Sequence, residues 1–498
     1  MSSLLILACV LGYSVLIFLI TWITSRNATN DSFFIGNKSS RWYVVAYGMI
    51  GASLSGVTFM SVPGSVGTSK FSYLFMVLGY LVGYTVIATV LMPMYYRLNL
   101  TSIYTYLHQR FGFWSYKSGA FLFILSRTLG ASLRLYLVVN VLQIFVFDGW
   151  GVPFWVTVAS FITLILLYTF KGGIKTIVWT DTLQTTFMLL AVVLSVSLIA
   201  KELNLSLSEI IAKVNISDHS QIVFTSFSDK RNFLKKFAAG VFIAIVMTGL
   251  DQEMMQKNLS CKNIREAQKN MFTFSFVSAF VILMFLFLGA VLYMYCETKG
   301  IAIPKKTDDL FPIIALKYLS PFAGLVFIIG LISAAYPSAD GALTSLTTSF
   351  CIDFLGFNEK DHLSEKKKAT IRHIVHISFS FLLLIVIVVF RELSNSAVID
   401  NLFTIAGYTY GPLLGLYSFG LFNKRKVVDK WVPFICLLSP AICYVVNENS
   451  KRWFNGFEFG FEMLVWNGFL TFIGLCFLSN KKEAEKEKIS IDINKISA

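Results

Sequence analysis

The feature that leaves this chain least freedom is a recurrence of apolar runs long enough to cross a bilayer. About thirteen stretches of roughly 18 residues or more follow one another, at 4–24, 41–67, 71–96, 119–147, 152–170, 176–200, 234–256, 270–296, 320–351, 370–391, 397–421, 430–447 and 461–479. In hydrocarbon every backbone N–H and C=O must find a partner inside the protein, and continuous runs of this length do so as helices. The expected fold class is an all-α polytopic membrane protein with about 13 transmembrane helices. Composition agrees, since 56% of the 498 residues are hydrophobic and 14% charged, which excludes the soluble multidomain arrangement that this length would otherwise suggest. The first run lacks a basic leader and a small-residue cleavage site, so it reads as a retained helix and not a signal peptide.

The formal net charge of +14 is not a nucleic-acid footprint. Lys and Arg gather in short connections between spans, where topology charges belong. Arg26, Lys38 and Arg41, then Arg97, Arg110 and Lys117, then Lys171 and Lys175 fall on one side of the membrane. So do Lys257, Lys262, Arg265 and Lys269, followed by Lys366, Lys367, Lys368 and Arg372, by Lys424, Arg425 and Lys426, and by the tail from Lys481. That places the N-terminus outside and the C-terminus inside a cytoplasmic (inner) membrane, with 481–498 as a solvated tail. The seven cysteines form no CxxC pair, and His373 and His376 lack a third ligand nearby. No GxSxG, HExxH or P-loop is present, so the chain is not expected to be an enzyme.

Two spans are interrupted. Gly48–Gly64 carries glycines, hydroxyls and Pro63 inside an apolar stretch, and Met247–Gln252 turns polar before its span ends. Irregular backbone at membrane depth persists only where it is buried in protein or lines a cavity, and it frees carbonyls and helix ends for a cation or polar solute. With the first span set aside, 41–200 and 234–421 hold five spans each, and each half opens on an interrupted one. An odd number per half inverts the halves, which is the plan of secondary transporters. The expected divisions are an extra N-terminal helix and loop (1–40), a first repeat (41–201), an external loop (202–232), a second repeat (233–422), two accessory helices (423–480) and the tail (481–498).

Ionisable groups inside spans are costly and mark pathways or pairs. Asp181 lies early in one apolar span and Asp340 in the middle of another; Arg127 and Arg134 sit seven residues apart on one face of a third. Carboxylates beside hydroxyls and backbone carbonyls supply the hard oxygen ligands that Na⁺ takes. Either aspartate could instead pair with Arg127 or Arg134 as a buried bridge. Solute contact and structural pairing suit the arginines equally.

The stretch Gly172-Gly173-Ile174, followed by Val178-Trp179-Thr180-Asp181 and Gln184, resembles a hallmark of the sodium/solute symporter family. That family includes bacterial sodium-coupled carriers of proline, galactose and sialic acid. Leu54–Pro63, Asp251-Gln252 through Gln256, and Gly411–Leu416 with Lys424-Arg425 resemble it too. The resemblance implies a five-plus-five inverted-repeat (LeuT-like) core with one helix before it and two after, and alternating access driven by sodium. It implies a main sodium site at Gly51, Leu54, Ala334, Pro337 and Ser338. Pro337 stands where the family usually carries serine, although proline frees a carbonyl one turn back that could compensate. A second sodium site would use Asp181 with Asp340 and Gly341, the last two at positions the family fills with serines. The solute would lie near Ser53, Ser55 and Thr58, with Gly79, Arg127 and Arg134 as further candidate contacts.

The leading expectation is a sodium-coupled symporter importing a small polar organic solute, with a pocket-facing arginine favouring one that bears a carboxylate. Proton coupling through Asp181 and Asp340 is the alternative, and a non-transporting sensor is a third reading. The sensor would need a kinase domain that about 20 residues after the last span cannot supply. The partners implied are the solute, sodium and the lipid bilayer, with no nucleic acid; a monomer is compatible with this organisation.

Overall fold

The computed structural model describes residues 3–24, 33–34, 38–357, 364–393 and 398–480. The expected tail 481–498 and the charged position Arg26 lie outside the described residues. The main helices are α1 (Ser3–Thr24), α2 (Trp42–Ser53), α3 (Gly56–Ser69), α4 (Tyr73–Val86), α5 (Phe113–Leu142), α6 (Phe154–Glu202), α7 (Leu207–Ile216), α8 (Phe233–Ala244), α9 (Gln252–Leu259), α10 (Ile264–Lys299), α11 (Pro321–Ser349), α12 (Glu365–Leu393), α13 (Val398–Phe422), α14 (Val432–Trp453) and α15 (Met463–Phe477).

Both predicted interruptions are present. The first span is cut into α2 and α3 at Leu54–Ser55, and α8 with the π-type turn Ile245–Gly249 meets α9 at a bend of 64°. Among the described residues eight helices are long and apolar enough to span a membrane, or nine if the bent pair counts as one. The sequence suggests about thirteen. The shortfall has local causes: α2 has only 12 residues before the break, the runs of α3 and α4 continue as one stretch Gly56–Arg97, and Phe154–Thr169 and Met463–Phe477 are apolar helices shorter than 18 residues. The runs expected at 152–170 and 176–200 lie in one helical segment, α6, whose apolar parts are Phe154–Thr169 and Thr176–Glu202. The loop expected at 202–232 holds α7, closed by a capping box in which Ser206 and Glu209 bond each other's backbone N–H.

Packing sets centre and rim. In α11, 83% of the apolar window is buried, against 33% in α1 and 22% in α14. α11 rests along α6 and also touches α2 and α3, while α4 lies along α8. The broken helices therefore surround the most buried element, and the helices with most exposed apolar surface form the outside.

Candidate functional site

The site starts at the break. Leu54 leaves helical geometry (φ −91, ψ 82), and its N–H closes back on the Ile50 carbonyl at 2.7 Å. A helix end leaves its last carbonyls without internal donors, so those of Gly51, Ala52 and Ser53 are left for another partner. Gly51 must be small, because a Cβ there would run into the Thr185 hydroxyl of α6. That hydroxyl donates to the Asp181 carbonyl at 2.8 Å. In α11, Pro337 lacks an N–H and so removes the helical donor of the Ser333 carbonyl one turn back. Ser338 Oγ is fully buried with no hydrogen-bond partner among the described residues. Gly51 and Leu54 thus come from a helix end in contact with the helix that carries Ala334, Pro337 and Ser338. The donors are carbonyl and hydroxyl oxygens, the set that suits a hard cation.

Ser53, Ser55 and Thr58 line one cavity of about 80 Å³ with Arg127 and Arg134 of α5. Tyr73, Tyr80 and Tyr84 of α4 and Thr248 of the π-type turn complete its polar wall. The arginines differ. Arg127 pairs with Glu253 and lies 3.7 Å from Asp251 Oδ2. Tyr410 Oη donates to that same oxygen at 2.5 Å. Asp251 Oδ1 accepts the Met254 N–H at 3.1 Å and so caps α9. Arg134 is 8% exposed and is in no ion pair among the described residues, while Nε of both arginines has no hydrogen-bond partner there. Gly79 is not among the residues lining this cavity. It lies where α4 crosses α8, and a Cβ there would come within 2.8 Å of the Val241 nitrogen.

Asp181 and Asp340 are both fully buried, and neither pairs with an arginine among the described residues. Asp181 Oδ2 accepts from Lys257 Nζ at 2.7 Å, and Asp340 Oδ2 accepts from Tyr168 Oη at 2.8 Å. Lys257 also stands 3.6 Å from Glu253 Oε1. The expectation that Lys257 is a topology charge in a connection is corrected here, since its side chain is 1% exposed. The polar stretch from Gln252 resembles a loop by composition, yet all eight residues of α9 are buried. Gln252 holds this helix by donating to the Thr101 carbonyl and accepting from the Ile103 N–H, and Gln256 donates to the Phe34 carbonyl at 2.6 Å. Gly341 lies against Glu253, and a Cβ there would meet the carboxylate.

Sequence reasoning missed the tyrosines, Glu253 and Lys257. The first have a usable signal, for 73, 80 and 84 repeat at helical spacing directly after the broken span. Glu253 and Lys257 stand at i, i+4 just past the second break, a spacing that puts them on one face.

A wider vestibule of about 560 Å³ lies beyond the cavity, lined by Asp229, Lys236, Asp400, Thr404 and Tyr408 among others. Phe403 lines both spaces. In its wall Arg231 donates to both carboxylate oxygens of Asp229, and those hydrogen bonds hold the Asp229 carboxyl below the usual carboxylate range.

The pattern that defines the sodium:solute symporter family matches residues 33–428. The sodium/sialic acid symporter NanT of Aliivibrio fischeri is 24% identical over 452 residues, covering 90% of this chain and 88% of that protein. The sodium-coupled monocarboxylate transporter 1 of Mus musculus is 26% identical over 409 residues, covering 79% and 64%. The solved structure of a Na⁺-coupled sialic acid symporter in a substrate-bound outward-open state has the same fold, with a TM-score of 0.81, 21% identity, and coverage of 96% of this chain and 99% of that one.

Proposed function

The chain belongs to the sodium:solute symporter family, with Na⁺ as its coupling ion, and on that premise we propose that it imports a small organic solute bearing a carboxylate. The observation that carries this is Arg134, a buried guanidinium in the wall of the cavity that is in no ion pair among the described residues and whose Nε has no partner there. A buried unsatisfied donor is unfavourable unless a ligand completes it, and guanidinium matches carboxylate geometry. Relatives named for sialic acid, monocarboxylates and iodide fit an anionic solute.

Sodium takes the Gly51 and Leu54 carbonyls with Ala334, Pro337 and Ser338, at the wall the cation shares with the solute cavity. Sodium there stabilises the solute-competent arrangement of the broken helices, which is the differential binding that coupling requires. The architecture proposed is the five-plus-five inverted-repeat core within 41–201 and 233–422, in a cytoplasmic membrane with the N-terminus outside. The basic connections support that orientation without Lys257.

The test is uptake of a panel of radiolabelled carboxylates and neutral analogues into proteoliposomes, under an inward sodium gradient or with choline replacing sodium. Uptake of a carboxylate that depends on sodium is expected. Uptake that persists unchanged in choline, or is confined to neutral analogues, refutes the proposal.

A further inference from the structure

Beside the candidate sodium site the protein carries a cation of its own. Arg127, Glu253, Lys257 and Asp181 form a row of alternating charge from the cavity wall to α6, with side-chain exposures of 5%, 1%, 1% and 0%. The row alternates two cations with two carboxylates: Arg127 pairs with Glu253 and also faces Asp251, Lys257 stands 3.6 Å from Glu253 Oε1, and Lys257 Nζ donates to Asp181 Oδ2 at 2.7 Å. Gly341 leaves the space in which the Glu253 carboxylate lies, since any side chain there would collide with it. A sodium ion added at Asp181 would share a carboxylate with an ammonium group. At about 4 Å, two like charges in a partly polar interior weaken binding roughly a thousandfold.

We propose that Lys257 is a tethered cation that holds Asp181 in place of a dissociable one, so that the transporter binds a single sodium ion per chain, at the Leu54–Ser338 site. This rests on the sodium-symport reading. It gives α9, the short half of the broken helix, a fixed electrostatic tie to α6. Through Glu253 and Arg127 the same tie reaches the solute cavity, so movement of α9 is transmitted to the cavity wall without a second ion.

The probe is sodium itself, with no solute required. Equilibrium binding of ²²Na⁺ to the purified full chain is expected to saturate at one equivalent. Ser338→Ala is expected to weaken that equivalent about tenfold. Lys257→Ala, which uncovers the Asp181 carboxylate, is expected to gain a second equivalent, and Lys257→Arg to keep one. If Lys257→Ala does not fold, the neutral pair Lys257→Met with Asp181→Asn removes both charges and is expected to keep one equivalent. Two equivalents in the unaltered chain, or a folded Lys257→Ala that still binds one, overturns the proposal. A chain that binds no sodium fails the symport reading instead, which separates the two failures.

Discussion

Arg127 and Arg134 lie two turns apart on α5 and line the same cavity, but their surroundings ask different things of them. Arg127 is enclosed by Glu253, Asp251 and the Tyr410 hydroxyl bound to Asp251. Removing it leaves Lys257 as the remaining cation beside Glu253, and breaking a buried ion pair by removing one partner costs about 3–5 kcal/mol. Arg127→Ala is therefore expected to lower the thermal midpoint and the yield of folded protein. Arg134 has no such partner to strand, so Arg134→Ala is expected to keep the thermal midpoint and lose transport. The half-saturating solute concentration rises roughly ten- to a hundredfold if a charge-assisted hydrogen bond of about 1.5–3 kcal/mol is lost. Thermal unfolding of both variants beside their uptake decides the assignment, and the opposite pattern would exchange their roles. That both arginines matter was legible from charge inside apolar spans. Which carboxylate each meets was not, because Asp251 and Glu253 arrive from a distant half of the chain and hydropathy carries no information about that pairing.

The elements that shape the cavity depend on close helix approach as much as on the breaks. At the crossing of α4 and α8, a Cβ on Gly79 would sit 3.0 Å from the Gly240 Cα, and one on Gly240 would sit 2.8 Å from the Met76 carbonyl carbon. Backbones meet here because both positions are small. The same two elements bring Tyr80 and Tyr84, and just past α8 Thr248, to the cavity. Gly240→Leu must separate the helices, and overpacking of this kind destabilises by about 1–3 kcal/mol. It is expected to abolish sodium-driven uptake while the protein still inserts, measured as uptake per folded transporter; uptake at the unaltered rate would show that the crossing does not set the cavity. The two interruptions were legible because glycine and proline weaken helical backbone and polar side chains are costly in hydrocarbon, so their clustering inside an apolar run marks a break. The burial of α9 was not, since its polarity is answered by groups on α6, α11 and the segment around Thr101 that only the fold brings near.

At the scale of the whole molecule, the sizes of the two spaces constrain how transport can proceed. The cavity at the break holds about 80 Å³ and the vestibule about 560 Å³, with Phe403 bordering both. Sites for organic ligands usually enclose about 300–1,000 Å³, so the inner cavity must widen to admit its solute, and Phe403 at the boundary is where widening joins it to the vestibule. A ligand shifts such an equilibrium only by its differential affinity for the two arrangements. On the proposed reading, sodium at the break would favour the joined arrangement by promoting solute binding, and bound solute would close it. Thr404, the exposed neighbour of Phe403, lines the vestibule and reports on this directly. The native cysteines give a low background, since Cys9 and Cys476 are half-buried and the other five are buried. With Thr404→Cys in proteoliposomes, the labelling rate by a membrane-impermeant thiol reagent is expected to rise severalfold when sodium replaces choline, and to fall when a solute found to be taken up is added. A rate indifferent to sodium would mean that the ion does not act on this boundary. Coupling would then have to pass through the opposite face of the broken helices, where α9 is tied to α6 by Lys257.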